Sequence, residues 1–139
     1  MPPLTATLLQ SSARAEDYLD YFEQGEFALQ VQKWDRAIEF LTKSIQENPS
    51  YFVAYRYRAI AYSKKGEYDK SIQDLKKATQ LNPDYPDAFR LLGVVYEIKK
   101  DNVAAHEAYR EALSREKRPA VRKILEKNIQ DLETKLKKK

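Results

Sequence analysis

The 139 residues contain no cysteine, so no disulfide framework, thiolate nucleophile or cysteine-ligated zinc site is available. Glycine occurs only three times, always singly, which excludes a glycine-rich phosphate loop. Histidine occurs once, as His106. Without a cysteine or a second histidine it cannot build a typical zinc site, and no Ser/Asp constellation stands near it in sequence. Its expected place is a surface or half-buried helix position. No apolar run approaches the ~20 residues needed to span a membrane. The opening "MPPLTATLLQ" has neither the basic region nor the apolar stretch of a signal peptide. These absences predict no enzyme, no cofactor, no bound metal, and a cytoplasmic location.

Scarce glycine combines with 42% apolar and 33% charged residues, a balance that favours helices over a sandwich or barrel. The net charge of +4 is unevenly placed. Residues 115–139 carry ten Lys/Arg against four Asp/Glu, whereas residues 1–114 carry fifteen against seventeen. Basicity is therefore a property of the C-terminal end, and any electrostatic reading must rest there.

The chain repeats itself. "QKWDRAIEFLTKSIQENP", Gln32 to Pro49, returns 34 residues later as "GEYDKSIQDLKKATQLNP", Gly66 to Pro83. Extended, the period divides the chain into units 18–51, 52–85 and 86–119. The fourth position holds Tyr21, Tyr55 and Phe89; the eighth holds Gly25, Ala59 and Gly93; the twentieth holds Ala37, Ser71 and Ala105. The eleventh (Ala28, Tyr62, Tyr96), the twenty-fourth (Leu41, Leu75, Tyr109) and the twenty-seventh (Ser44, Ala78, Ala112) complete the pattern. Positions four, seven, eight and eleven share one face of a first helix, and twenty, twenty-four and twenty-seven one face of a second. Small residues at eight and twenty let the two helices approach closely. Asp35, Asp69 and Asp101 fall where second helices begin, where a carboxylate suits the helix dipole. Expected helices are 12–31, 34–47, 52–65, 68–81, 86–99, 102–116 and 119–137, preceded by a flexible segment 1–11. In the last, Val121, Ile124, Leu125, Ile129, Leu132 and Leu136 form one apolar side.

A fixed period of this length marks a stacked helical array, and the residues quoted resemble the tetratricopeptide-repeat family over about 102 positions. The resemblance implies an all-α fold: a right-handed α-solenoid of three helix-turn-helix repeats, with a terminal capping helix at 120–137, as a single domain 12–139. Departures fall at the seventh position, where Gln24 and Arg58 replace an apolar residue and are expected to loosen local contacts. In the first unit Ala28 replaces a large aromatic, and in the third Lys117 replaces the closing proline.

The family's concave face binds a segment of a partner protein, so the resemblance implies an interaction module, an adaptor or scaffold. The positions facing that groove give Leu19, Phe22, Glu23, Glu26, Leu29 and Gln30 in the first unit. The second gives Val53, Arg56, Tyr57, Ile60, Ser63 and Lys64, and the third Asp87, Arg90, Leu91, Val94, Glu97 and Ile98. Stacking does not require the apolar residues among them, and a contiguous exposed apolar strip marks a binding surface. Candidate contact residues are Phe22, Glu26, Arg56, Tyr57, Ile60, Lys64, Arg90, Leu91, Val94 and Ile98. Arg56 and Arg90 share one position in adjacent units, roughly 10 Å apart, one helix diameter. Together they could grip a carboxylate or phosphate, or each could pair with Glu26, Asp87 or Glu97. The carboxylate clamp by which related co-chaperones hold chaperone tails needs Lys and Asn in the first unit, Asn in the second, and Lys and Arg in the third. Phe22, Glu26, Tyr57, Asp87 and Leu91 stand in those places, so that mechanism is not expected.

The sequence leaves two other kinds of contact open. Arg115, Lys117, Arg118, Arg122, Lys123 and the terminal "KLKKK" could meet nucleic acid or an anionic membrane surface. No aromatics interleave there, so base stacking has no candidate and nucleic acid is not expected. Self-association, with "LTATLLQ" of one chain in the groove of another, is the third possibility.

Overall fold

The computed structural model describes the backbone of residues 4–138 and the side chains of residues 17–138. Seven helices follow one another: α1 (Leu4–Gln30), α2 (Trp34–Glu47), α3 (Phe52–Lys64), α4 (Tyr68–Leu81), α5 (Pro86–Ile98), α6 (Asn102–Arg115) and α7 (Pro119–Lys137). The principal contacts run between consecutive helices, so three hairpins stack in a row and α7 closes the series. This is an α-solenoid.

The first helix corrects the expected start at residue 12. It begins at Leu4, so residues 4–11 of the expected flexible segment are helical, while residues 1–3 lie outside the described ones. No glycine or proline interrupts the chain between Leu4 and Gln24, and Leu, Ala, Gln and Arg in that stretch favour helix.

The turn inside each hairpin is the same device used three times. Gln32, Gly66 and Lys100, at the fifteenth position of their units, take φ of 60°, 79° and 63°. The next residue's N–H then reaches back to a carbonyl five residues earlier: Lys33 to Ala28 (2.8 Å), Glu67 to Tyr62 (2.9 Å) and Asp101 to Tyr96 (2.9 Å). A left-handed residue followed by this bond ends a helix by satisfying its last carbonyls. The turns between hairpins use asparagine. The side chains of Asn48 and Asn82 accept from the N–H groups of Ser50 (3.1 Å) and Asp84 (3.2 Å), and the intervening Pro49 and Pro83 cannot continue a helix.

Within hairpins, the small eighth position is a steric requirement. A Cβ on Gly25 would stand 2.6 Å from Leu41 Cγ, and one on Gly93 would collide with the Tyr109 ring. Ala59 takes the same place in the middle hairpin, where its carbonyl accepts from the buried Ser71 hydroxyl at 2.8 Å. Between hairpins the tenth position does the packing. Ala61 is fully buried against Ala37 and Leu41, and Val95 is buried against Leu75 and Ala78.

The seventh position of the middle unit also differs from expectation. Arg58 does not loosen the stack. Its Nε and Nη2 each donate at 2.7 Å to the buried Asp74 on α4, and its Nη1 donates to Thr42 on α2 at 3.1 Å. Burial opposes the guanidinium charge, but the hydrogen bonds to Asp74 outweigh it and hold the net pKa above the usual value.

α7 lies across the last hairpin. Leu125 and Leu132 are fully buried and pack with Ala105, Tyr109 and Ala112, while Val121 and Ile129 flank them. Ile124, expected on this side, is largely exposed. His106 is half-buried, 3.0 Å from Glu133, and links α6 to α7. The corner before α7 is built on the buried Glu116. Its carboxylate accepts from the Arg118 guanidinium, from the N–H of Arg118 (2.9 Å) and from that of Lys117 (3.0 Å). The Arg118 side chain foremost holds its pKa down at about 2.

Candidate functional site

The first helices of the hairpins, α1, α3 and α5, carry the residues expected on the concave face. Two groups form there. Phe22 of α1 meets Tyr57 of α3 edge-to-face at 5.0 Å between ring centroids, and Tyr51 in the same way at 5.3 Å. The Tyr57 hydroxyl donates to Glu26 Oε1 at 3.2 Å. The two contacts of Tyr57 join the first two units, and edge-to-face pairs contribute about 0.5–1.5 kcal/mol each. Phe22, Glu26 and Tyr57 therefore hold one another as well as facing outward.

The second group borders a recess of about 350 Å³ between α3 and α5. Ile60 and Lys64 come from α3; Leu91, Val94 and Ile98 come from α5; Leu75 of α4 reaches it from behind. The small Ala59 and Ser63 leave the space open. Ile98 and Lys64 stand exposed at the rim, and Leu91 and Val94 are half-buried.

Arg56 lies one helical turn before Ile60. Its guanidinium stacks over the rings of Tyr57 (4.6 Å) and Tyr85 (5.5 Å). Its Nε is buried and has no hydrogen-bond partner. Burial raises the pKa of Tyr85, and the nearby Arg56 offsets part of that. Arg90 differs, although it shares the same repeat position. Its Nε is 3.7 Å from the Asp87 carboxylate, which also accepts from Arg118 at 2.8 Å. Of the two arginines, one is tied to a neighbouring acid and one is not. Between α5 and α6, the Tyr109 phenol is pushed up by burial and then by Glu97.

Three arginines of the basic C-terminal end are engaged within the fold. Arg115 donates to the Pro83 carbonyl and to Glu111, and lies 4.3 Å from the Phe89 ring centre. Arg118 serves Glu116 and Asp87, and Arg122 donates to the carbonyls of Leu113 and Glu116. Lys117 and Lys123 are exposed. Among the described residues, no three ligating side chains gather as a metal site would require, and no helix is long and apolar enough to cross a membrane.

Sequence reasoning missed two features: the Tyr85 platform lies at the end of a unit, and Arg58–Asp74 spans a separation no helical period suggests.

A family model described as a tetratricopeptide repeat matches residues 40–73, and one described as a TPR repeat matches residues 61–100. No curated protein sequence matches the chain. Among solved structures, the Arabidopsis OM64 TPR domain is 24% identical with a TM-score of 0.79, over 85% of this chain and 98% of that one. The Sgt2 TPR domain from Aspergillus fumigatus is 24% identical with a TM-score of 0.77, over 86% and 79%. The first TPR of Spaghetti (RPAP3), solved with the HSP90 peptide SRMEEVD, is 25% identical with a TM-score of 0.76, over 84% and 94%. Tetratricopeptide-repeat models match the centre of the chain, residues 40–100, and the array as a whole has the fold of the TPR domains on which it superposes.

Proposed function

We propose that this chain is a protein-interaction module, an adaptor or scaffold, whose concave face holds an extended or helical segment of a partner protein. The observation that carries this reading is the apolar recess between α3 and α5, with Arg56, which pairs with no acid among the described residues, one turn away. Stacking the hairpins requires neither. A volume of this size suits a single apolar side chain with its neighbours. Arg56, lifted on two tyrosine rings, supplies a charge to an acidic group about one helical turn from that anchor. Arg90, already engaged with Asp87, contributes less.

Spaghetti (RPAP3) was solved with an HSP90 peptide, and the second TPR domain of human RPAP3 with the HSP70 peptide SGPTIEEVD. Here Phe22, Glu26 and Tyr57 occupy clamp positions and satisfy one another, while Asp87 and Leu91 fill two more. The chain's ligand is therefore a different peptide, anchored by an apolar residue.

Peptide-display panning against the immobilised chain tests this, with Val94→Arg as the comparison. Enriched peptides should share an apolar residue and a nearby acid, and should lose binding to Val94→Arg. Arg56→Ala should weaken them roughly ten- to a hundredfold, the range of a charge-assisted hydrogen bond. Peptides SRMEEVD and SGPTIEEVD should bind no better than scrambled controls. Equal enrichment on wild type and Val94→Arg would remove the groove from consideration.

A further inference from the structure

The stacking rule of this chain is visible at the tenth position of each unit. Ala61 and Val95 occupy it in the second and third units, and both are buried against the second helix of the preceding hairpin. In the first unit the same position is Phe27, which is 64% exposed. Val31, one turn on, is 46% exposed, and Phe40 of α2 borders the same depression of about 640 Å³. A large aromatic thus stands where the other units place a contact residue, with no hairpin packed against it among the described residues.

The charges around it are ordered. Asp20 and Glu23 lie two turns and one turn before Phe27 on α1. Lys33 and Arg36 lie beyond Val31, in the turn and the first turn of α2. Two acids therefore border one end and two bases the other. None of the four forms an ion pair among the described residues, and the Arg36 guanidinium rests over the Phe40 ring at 5.5 Å. Elsewhere the corresponding parts of the fold pair their charges, as Lys65 does with Asp35 at 2.6 Å and Lys99 with Asp69.

A patch with an apolar centre, acids at one end and bases at the other is complementary to itself after a half-turn. We infer that this face binds the same face of a second copy of the chain, the two α1 helices crossing antiparallel at Phe27. Asp20 and Glu23 of each copy then approach Lys33 and Arg36 of the other, twice over, as an isologous interface requires. Glu23, expected from its repeat position to face the groove, borders this depression instead, and no other residue of the arrangement is at a groove position.

Light scattering coupled to size exclusion, on the full chain across a concentration series, tests the inference. The wild type should show a concentration-dependent dimer. Phe27→Glu should be monomeric, with an unchanged helical spectrum because the side chain is exposed. The pair Asp20→Lys and Glu23→Lys makes both ends basic, and the pair Lys33→Glu and Arg36→Glu makes both ends acidic. Each double variant alone should raise the dimer dissociation constant on the order of a hundredfold, through like-charge contact. Mixed in equal amounts, the two should recover a heterodimer, because every contact is again between opposite charges. A wild type that stays monomeric at several hundred micromolar would overturn the inference. So would a dimer that survives Phe27→Glu, or charge variants that fail to rescue each other. Loss of the dimer in Val94→Arg with retention in Phe27→Glu would assign association to the groove instead.

Discussion

The two ends of the array have the same geometry and opposite fates. At the C-terminal end the last hairpin presents Ala105, Tyr109 and Ala112, and α7 covers them with Leu125 and Leu132, both fully buried. At the N-terminal end the first hairpin presents Phe27 and Val31, exposed among the described residues, with the half-buried Phe40 beside them. A stack of helix pairs leaves an apolar face at each end, and terminal elements with a polar outer side are the usual remedy. Among the described residues the remedy is applied at one end only. An end covered by its own chain contributes to stability, whereas an open one is available for association.

The largest expected effect tests that contrast directly. Leu125→Ala and Leu132→Ala should each cost about 2–5 kcal/mol in urea unfolding, the range for emptying a buried leucine site. Phe27→Ala at low protein concentration should change stability by no more than about 0.5 kcal/mol, as an exposed substitution does. Comparable losses at both ends would break the comparison.

A second test uses the eighth position, which is glycine at both ends. Gly25→Ala drives a methyl into Leu41, and Gly93→Ala drives one into Tyr109. Each should cost about 1–3 kcal/mol by overpacking. The cost should be greater at Gly93, because a rigid tyrosine ring packed under α7 yields less than the flexible side chain of Leu41. Thermal melts of the two variants would rank them.

The third sharpens the electrostatic side of the covered end. Glu116 has a folded-state pKa depressed to about 2, mainly by Arg118. A depressed carboxyl stabilises the fold above its ordinary pKa, and that contribution disappears as pH falls from near 4.5 towards 2. The melting temperature of the wild type should therefore fall more steeply than that of Glu116→Gln over this window. Parallel curves would show that the corner adds nothing to stability.

The smallest effect concerns the hairpin turns. Gln32 and Lys100 hold the left-handed conformation that Gly66 adopts without strain. Gln32→Gly and Lys100→Gly should each stabilise by a few tenths to about 1 kcal/mol, the left-handed penalty less the added chain entropy. Gly66→Ala should destabilise by a similar amount. Equal behaviour of Gln32 and Lys100 would show that the two ends differ only in what covers them.

Much of this architecture was legible. The 34-residue period located α2 to α7 within one residue at either bound, because proline, asparagine and the short polar breaks punctuate every unit. Burial of Leu125 and Leu132 followed from simple helical spacing. The start of α1 was not legible, since the period does not reach back beyond Tyr18. The left-handed fifteenth position was hidden because two of its three occupants are not glycine. On the concave face, the sequence placed Arg56 and Arg90 as equals. Only side-chain geometry separates them, through an acid three residues before Arg90 and a pair of tyrosine rings around Arg56. The open end escaped notice for a related reason: Phe27 reads as an ordinary core residue until its position is compared with Ala61 and Val95.

The Arg58–Asp74 pair carries a consequence for how such an array can grow. Repeat proteins lengthen by duplicating units, which works when every unit presents the same surface to its neighbour. Arg58 reaches back to Thr42, at the twenty-fifth position of the unit before it. The middle unit has Lys76 at that position. A tandem copy of the middle unit would set its arginine against a lysine where it now meets a hydroxyl. The third unit avoids this with Leu92 at the arginine's position, buried in the apolar core. The middle unit is thus fitted to its place in the order, and extension of this chain by internal duplication would require a compensating change at Lys76 before the added unit could seat.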